Sequence, residues 1–243
     1  MGIRPVGIRP VGTRPVGTKP VGTSSRRVAA CVVGLAFGLL VAVAPTAAEP
    51  AAPDGTAIIA HGVGTAPACA TCHGAAGQGN AAIGAPALAG DGVAYLREQL
   101  RHFASGQRVN PIMQPIARAL TQAERAAVAA SFAAMQARAP HPVAAAADPL
   151  GAMLARRGSW AIGLPGCEQC HGPHGIGVGP DFPHLAGLTA PYIAAQLAAF
   201  RAGTRPGGPL GLMGHVAQKL SAPEIAAVAA YFGAESGAAE KKP

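Results

Sequence analysis

The sequence predicts an all-α protein in which two small domains follow one another, each with long loops rich in glycine and proline. The chain contains an internal duplication, because the pattern Cys-x-x-Cys-His-Gly begins at Cys69 and again at Cys167, 98 positions later. Within each repeat, apolar residues recur at three- and four-residue spacing, and no stretch alternates like a β-strand. The 33 glycines and 23 prolines among 243 residues indicate extensive loops.

The helices of the two repeats can be placed from their patterns. Segment 95–103 predicts a helix with Asp91 as a candidate N-cap, and Thr189 has that part in the second repeat. Shorter helices are expected ahead of the cysteine pairs, near residues 55–62 and 151–158. The last helix of each repeat should open with a capping box: Thr121 with Glu124, and Ser221 with Glu224.

The basic residues are unevenly distributed, which decides how the formal net charge of +8 is interpreted. Six of the 19 Lys and Arg residues precede the first acidic residue, Glu49, so the remaining chain has 13 basic and 11 acidic residues. A body with so little net charge does not favour nucleic-acid binding.

Residues 1–48 have the organisation of a low-complexity leader with a targeting segment. Arg26 and Arg27 precede an apolar run over residues 28–44, and small residues follow. This order predicts a secretory signal peptide and an exported protein, with an uncleaved N-terminal anchor and membrane association as the alternative. For the rest of the chain, the repeat predicts a first domain over residues 49–137, a linker over 138–149 and a second domain over 150–243.

The repeated motif is the attachment signature of covalent haem c. Two thiols three positions apart can each add to one vinyl group of a porphyrin, and the next residue, a histidine, then lies under the iron. Domains of roughly 90 residues with few aromatic side chains also need a group to complete their cores. The predicted attachment cysteines and iron-binding histidines are Cys69, Cys72 and His73, then Cys167, Cys170 and His171.

Three other roles for the cysteine pairs are less favoured. The pairs are too far apart in sequence for a typical structural zinc site. The βαβ context of a redox dithiol is missing. Structural disulfides in an oxidising compartment are the third alternative.

Met113 and Met213 are the predicted sixth ligands of the two irons, since they lie 40 and 42 residues after the histidines at matching places in the repeats. Both are expected in Gly- and Pro-rich loops just before the last helix. His102 and His215 are the rival ligands. The remaining histidines, including His184, are expected in loops or on the surface.

Pro86 and Pro183 follow the ligand histidines by 13 and 12 residues, within a repeated Pro-x-Leu-Ala-Gly segment. Each proline carbonyl is expected to accept the N–H of the axial imidazole and so fix its orientation. The alternative is that these prolines only mark turns, as prolines commonly do. Arg108 and Arg205 are either partners of haem propionates or exposed loop residues without a role.

Taken together, CATCHG, PALAG, YLREQL, SGQR and Met113, followed by CEQCHG, PHLAG, YIAAQL, AGTR and Met213, resemble the dihaem class I cytochromes c of the cytochrome c4 family. The resemblance covers about residues 54–235. It implies two tandem class I cytochrome c domains, two covalently bound haem c groups and His/Met ligation of both irons. It also implies a periplasmic location and electron delivery to a terminal oxidase or a related acceptor.

We therefore expect a single-electron carrier and not an enzyme, because a six-coordinate iron has no open position for a reactant. Its partners should be redox proteins, namely an oxidase, a reductase or a dehydrogenase. The alternatives are the cytochrome subunit of a dehydrogenase complex and a dihaem peroxidase-like enzyme, which needs one five-coordinate iron.

Overall fold

The computed structural model describes residues 52–136 and 149–237, which lie in one compact unit, Glu49–Pro243. These two stretches are called the first and second repeat below. Their secondary structure is helical, with isolated β-bridges and no strand, so the all-α prediction is confirmed. No helix in these stretches is long and apolar enough to cross a membrane. The predicted signal peptide or anchor, and most of the predicted linker, lie outside the described residues.

Both repeats have the same order of helices. The first repeat contains α1 (Gly55–His61), α2 (Ala70–His73), α3 (Val93–Ser105), α4 (Met113–Ala119) and α5 (Gln122–Ala134). The second repeat contains α6 (Pro149–Arg156), α7 (Cys167–His171), α8 (Ala190–Arg201), α9 (Leu212–Lys219) and α10 (Ala222–Gly237). Short 3-10 turns lie between them: Ala81–Ile83, Trp160–Ile162, Pro173–Gly175 and Pro209–Gly211.

Most of the predicted caps form. Both capping boxes are present, and the Thr189 hydroxyl accepts the backbone N–H of Tyr192 at the start of α8. The prediction that Asp91 caps α3 is wrong, because Gly92 precedes that helix and no side chain caps it. The Asp91 carboxylate instead binds the second repeat, where it accepts the backbone N–H of His184 at 2.9 Å.

Each repeat has its own apolar core, built where its first and last helices pack together. The first core is formed by α1, α3 and α5 around Ile58, Leu96, Val128 and Phe132. The second is formed by α6, α8 and α10 around Leu154, Ile193, Tyr231 and Phe232. Ala87, from the first repeat, belongs to the second core, so the two repeats meet there.

The first and last helices of each repeat approach so closely that a glycine is required at the crossing. A Cβ placed on Gly55 would lie 2.2 Å from the carbonyl oxygen of Ala127, and one on Gly151 would lie 2.3 Å from that of Ala227. Real Cβ atoms do not come so near an oxygen, so any larger residue would separate the helices.

Gly151→Ala should therefore destabilise the protein, by about 1–3 kcal/mol, because the added methyl group forces α6 away from α10. Ala230→Ser is the control, since Ala230 also lies in α10 but is exposed. That control should change stability by less than about 0.5 kcal/mol. Thermal unfolding of the two haem-loaded variants measures the difference, and equal stabilities would contradict the close approach.

Candidate haem sites

The two cysteine pairs lie on matching short helices that present the attachment motif. Cys69 is the N-cap of α2, and Cys72 lies within that helix. Cys167 and Cys170 lie in α7. None of the four forms a disulfide in the structure. In the described residues, no group of three or more His, Cys, Asp or Glu side chains is placed to hold a metal ion.

Burial affects the first thiol of each pair. It raises the pKa of Cys69, and it raises the pKa of Cys167 to about 11. Burial therefore disfavours the charged form of both sulfurs before a group is attached to them.

The motif histidines are buried and oriented by the predicted prolines. His73 Nδ1 lies 2.9 Å from the carbonyl oxygen of Pro86, and His171 Nδ1 lies 2.8 Å from that of Pro183. A carbonyl can only accept, so Nδ1 of each ring carries the hydrogen and Nε2 has a free lone pair. Such an imidazole is ready to bind a metal through Nε2.

The protonation state of these rings agrees with that role. Burial, the largest effect, lowers the pKa of both His73 and His171, and the hydrogen bond to the proline carbonyl opposes it. At His171 the charge of Asp91 also raises the pKa, although Asp91 belongs to the other repeat. Burial thus favours the neutral imidazole in both sites, which is the form that can coordinate a metal.

The proline carbonyls are held in place by the same backbone bonds in each repeat. The N–H groups of Leu88 and Ala89 donate to the carbonyl of Gly77, and those of Leu185 and Ala186 donate to that of Gly175. Both glycines have positive φ values, 66° and 71°. The repeated Pro-x-Leu-Ala-Gly segment is therefore a frame that fixes the acceptor of each imidazole.

Met113 and Met213 lie at the start of helices, so the prediction that they lie in loops is wrong. Met113 opens α4, where its N–H donates to the side-chain oxygen of Asn110 at 2.8 Å. Met213 is the second residue of α9, donates its N–H to the carbonyl of Gly207 at 2.8 Å, and packs on the second core. Both side chains are half-buried.

The rival ligands are engaged elsewhere. His102 is buried in α3, and its Nε2 lies 2.8 Å from a carboxylate oxygen of Glu98. His215 is exposed, and its Nδ1 lies 2.9 Å from the carbonyl oxygen of Gly211. His184 was expected in a loop or on the surface; it is in a loop but buried, where it faces Asp91.

Arg108 and Arg205 are buried between the two repeats, so they are not exposed loop residues. Each guanidinium stacks on a ring of its own repeat, Arg108 on Phe103 and Arg205 on Phe200. Each also donates hydrogen bonds to the same two glutamines and to a tyrosine of the other repeat. Arg108 donates to Gln99, Gln196 and Tyr192, and Arg205 donates to Gln196, Gln99 and Tyr95.

The two buried guanidinium groups donate to neutral oxygens, so their positive charges lack a negative partner. An anionic group of a haem would fit this arrangement. Neither guanidinium forms an ion pair with a carboxylate of the described residues, and the buried Nε of Arg205 has no hydrogen-bond partner there. Two buried like charges cost free energy unless an anionic group joins them. The propionates of haem are groups of that kind.

Helical repeats that each carry an attachment motif, a buried oriented histidine and a methionine define a c-type cytochrome with two haem groups. Residues 50–130 match the family described as cytochrome c oxidase, cbb3-type, subunit III, and residues 156–233 match the family described as cytochrome c. A cytochrome c4 of Pseudomonas aeruginosa is 37% identical over 187 residues, which cover 72% of this chain and 90% of that protein. The chain belongs to the cytochrome c4 family: it carries electrons by means of two covalently bound haem c groups.

Other relatives have a more specific description. A protein of Stutzerimonas stutzeri described as a thiosulfate dehydrogenase electron acceptor is 53% identical over 171 residues, covering 68% of this chain and 77% of the relative. The structure of a thiosulfate dehydrogenase (TsdBA) from Marichromatium purpuratum matches with a TM-score of 0.68 and 42% identity, over 74% of this chain and 39% of that one. Reduced cytochrome c4 from Pseudomonas stutzeri matches with a TM-score of 0.65 and 31% identity, over 76% and 98%.

Replacing Cys167 and Cys170 together with alanine should leave one covalently bound haem, because the first motif does not depend on the second. Mass spectrometry of the denatured protein should then show the added mass of one haem in place of two. The matched control replaces Cys69 and Cys72. Retention of two covalent haems by either variant would contradict the assignment.

Proposed function

We propose that this protein is a periplasmic single-electron carrier that accepts electrons from a thiosulfate dehydrogenase and passes them to a terminal oxidase or a related acceptor. The observation that carries the proposal is the 53% identity to a thiosulfate dehydrogenase electron acceptor across both repeats. The likeness to part of the structure of a protein described as thiosulfate dehydrogenase (TsdBA) supports it. The signal-like order of residues 1–48 supports export.

His73 and Met113 are proposed as the axial ligands of the first iron, and His171 and Met213 as those of the second. When bound, each haem supplies an iron that gains or loses one electron. The histidines would bind through Nε2, since Nδ1 donates to a proline carbonyl. The methionine thioethers would favour ferrous iron and leave no position for a reactant.

The remaining side chains at each site orient the ligands and exclude water. The Phe132 ring meets the His73 ring edge-on at 6.5 Å, and the Phe182 ring meets that of His171 at 6.2 Å. Arg108 and Arg205 are proposed to donate to haem propionates between the repeats. Because they share Gln99 and Gln196, the carboxylates of both haems would be held by one hydrogen-bonded network.

The dihaem peroxidase-like alternative differs from a carrier in its coordination. A peroxidase needs one five-coordinate iron, so one of the two methionines would not be a ligand. The subunit alternative keeps the same chemistry and differs only in a permanent partner, so copurification with a dehydrogenase from membranes would favour it.

Met113→Ala and Met213→Ala should each abolish the weak sulfur-to-iron absorption band of one haem and lower its reduction potential, because the sulfur ligand favours ferrous iron. Optical redox titration measures both effects. Met153→Ala is the control, since Met153 has no counterpart in the first repeat, and it should change neither. A spectrum left intact by either ligand variant would favour the peroxidase-like alternative.

The donor is tested by mixing the oxidised holoprotein with a purified thiosulfate dehydrogenase and thiosulfate. Each ferric haem should take one electron derived from thiosulfate, so two electrons should enter each molecule. Rapid-mixing absorbance follows the reduction, and omission of the dehydrogenase is the control for direct reduction by thiosulfate. Reduction no faster than that of the Pseudomonas aeruginosa cytochrome c4 would contradict a dedicated role and favour a general carrier.

A further inference from the structure

One carboxylate of the first repeat lies against the ligand frame of the second haem site. The Asp91 side chain is 5% exposed, and its Oδ1 accepts the backbone N–H of His184 at 2.9 Å. That N–H belongs to the same peptide group as the Pro183 carbonyl, which accepts the His171 Nδ1–H at 2.8 Å. A continuous chain of hydrogen bonds therefore joins the carboxylate of one repeat to the proposed axial histidine of the other.

Among the described residues, the first haem site has no equivalent chain of hydrogen bonds. The residue that corresponds to Asp91 is Leu188, and the residue that corresponds to His184 is Ala87; both are apolar and belong to the second core. The hydrogen bond from His73 to Pro86 is nevertheless the same as in the second repeat. The two sites thus share the hydrogen bond from histidine to proline carbonyl. They differ in that a carboxylate accepts the next peptide N–H in the second site alone.

From this asymmetry we propose that Asp91 is a positioning residue that lowers the reduction potential of the haem in the second repeat. The inference rests on the proposed axial role of His171. A carboxylate that accepts a peptide N–H polarises that peptide, so its carbonyl becomes a stronger acceptor. The imidazole that donates to this carbonyl gains anionic character and becomes a stronger donor to iron, which stabilises the ferric form.

The direct field of the charge acts in the same direction. A buried negative charge near the iron stabilises the ferric state, which has one more positive charge than the ferrous state. His184 Nδ1 also lies 2.9 Å from Asp91 Oδ1 but forms no hydrogen bond there, so the hydrogen bond from His184 to this carboxylate comes from the backbone N–H alone. The peptide and the imidazole are therefore two separable routes.

Asp91→Asn tests the proposal, because it keeps an acceptor oxygen and removes the charge. The reduction equilibrium constant of the second haem should increase about tenfold, equivalent to about 59 mV for a one-electron couple, while that of the first haem changes less than about twofold. Asp181→Asn is the matched control: it removes one negative charge from an exposed residue just before Pro183 and should have little effect. NMR of the axial-ligand protons, assigned with the two methionine variants, identifies the haem that responds.

His184→Ala separates the two routes, since it removes the imidazole and keeps the backbone N–H. Under the proposal it leaves the potential of the second haem unchanged or lowers it further. An unchanged potential in Asp91→Asn overturns the proposal, as does a rise in His184→Ala as large as that in Asp91→Asn. Failure of the assignment of His171 would be seen separately, as the absence of its ring protons from the axial-ligand resonances of the second haem.

Discussion

The hydrogen bond from each motif histidine to a proline carbonyl is the interaction on which both sites depend. A buried imidazole must satisfy Nδ1–H, and the carbonyls of Pro86 and Pro183 are its acceptors. Those carbonyls are in turn fixed by two N–H groups that share one glycine carbonyl. The cysteine pair, the histidine and the frame are all local in sequence, within about 20 residues, so each repeat can assemble its own half of the iron environment.

The interface between the repeats obeys a different constraint, that of burying two cations. Arg108 and Arg205 donate to the same pair of glutamines, so their charges lie in one network with only neutral acceptors. Neutral oxygens do not offset the desolvation of two guanidinium groups, whereas haem carboxylates would. In the proposed arrangement, the haem carboxylates would therefore complete the interface between the repeats.

Local features could be predicted from the sequence, and distant ones could not. The capping boxes and the cap at Thr189 join residues three apart, so the local sequence pattern is sufficient to predict them. Aspartate is a common N-cap residue, which is why the sequence favours that role for Asp91. Its hydrogen-bond partner is instead 93 residues away, and no local sequence pattern indicates such a distant contact. A local clue to α4 was present, because Asn110 lies three residues before Met113 and its side chain begins the turn that leads into that helix.

Duplication gives two sites with the same proposed ligands, and identical sites would hold an electron equally well. A difference between them has to come from residues that the repeats do not share, and the interface is where such residues meet. The contact between Asp91 and His184 lies there, while Leu188 and Ala87 occupy the corresponding positions. One substitution on each side of the interface is thus enough to make the two irons unequal without altering a ligand. The internal direction of electron transfer can then be set by the contact between the repeats, independently of how each repeat binds its haem.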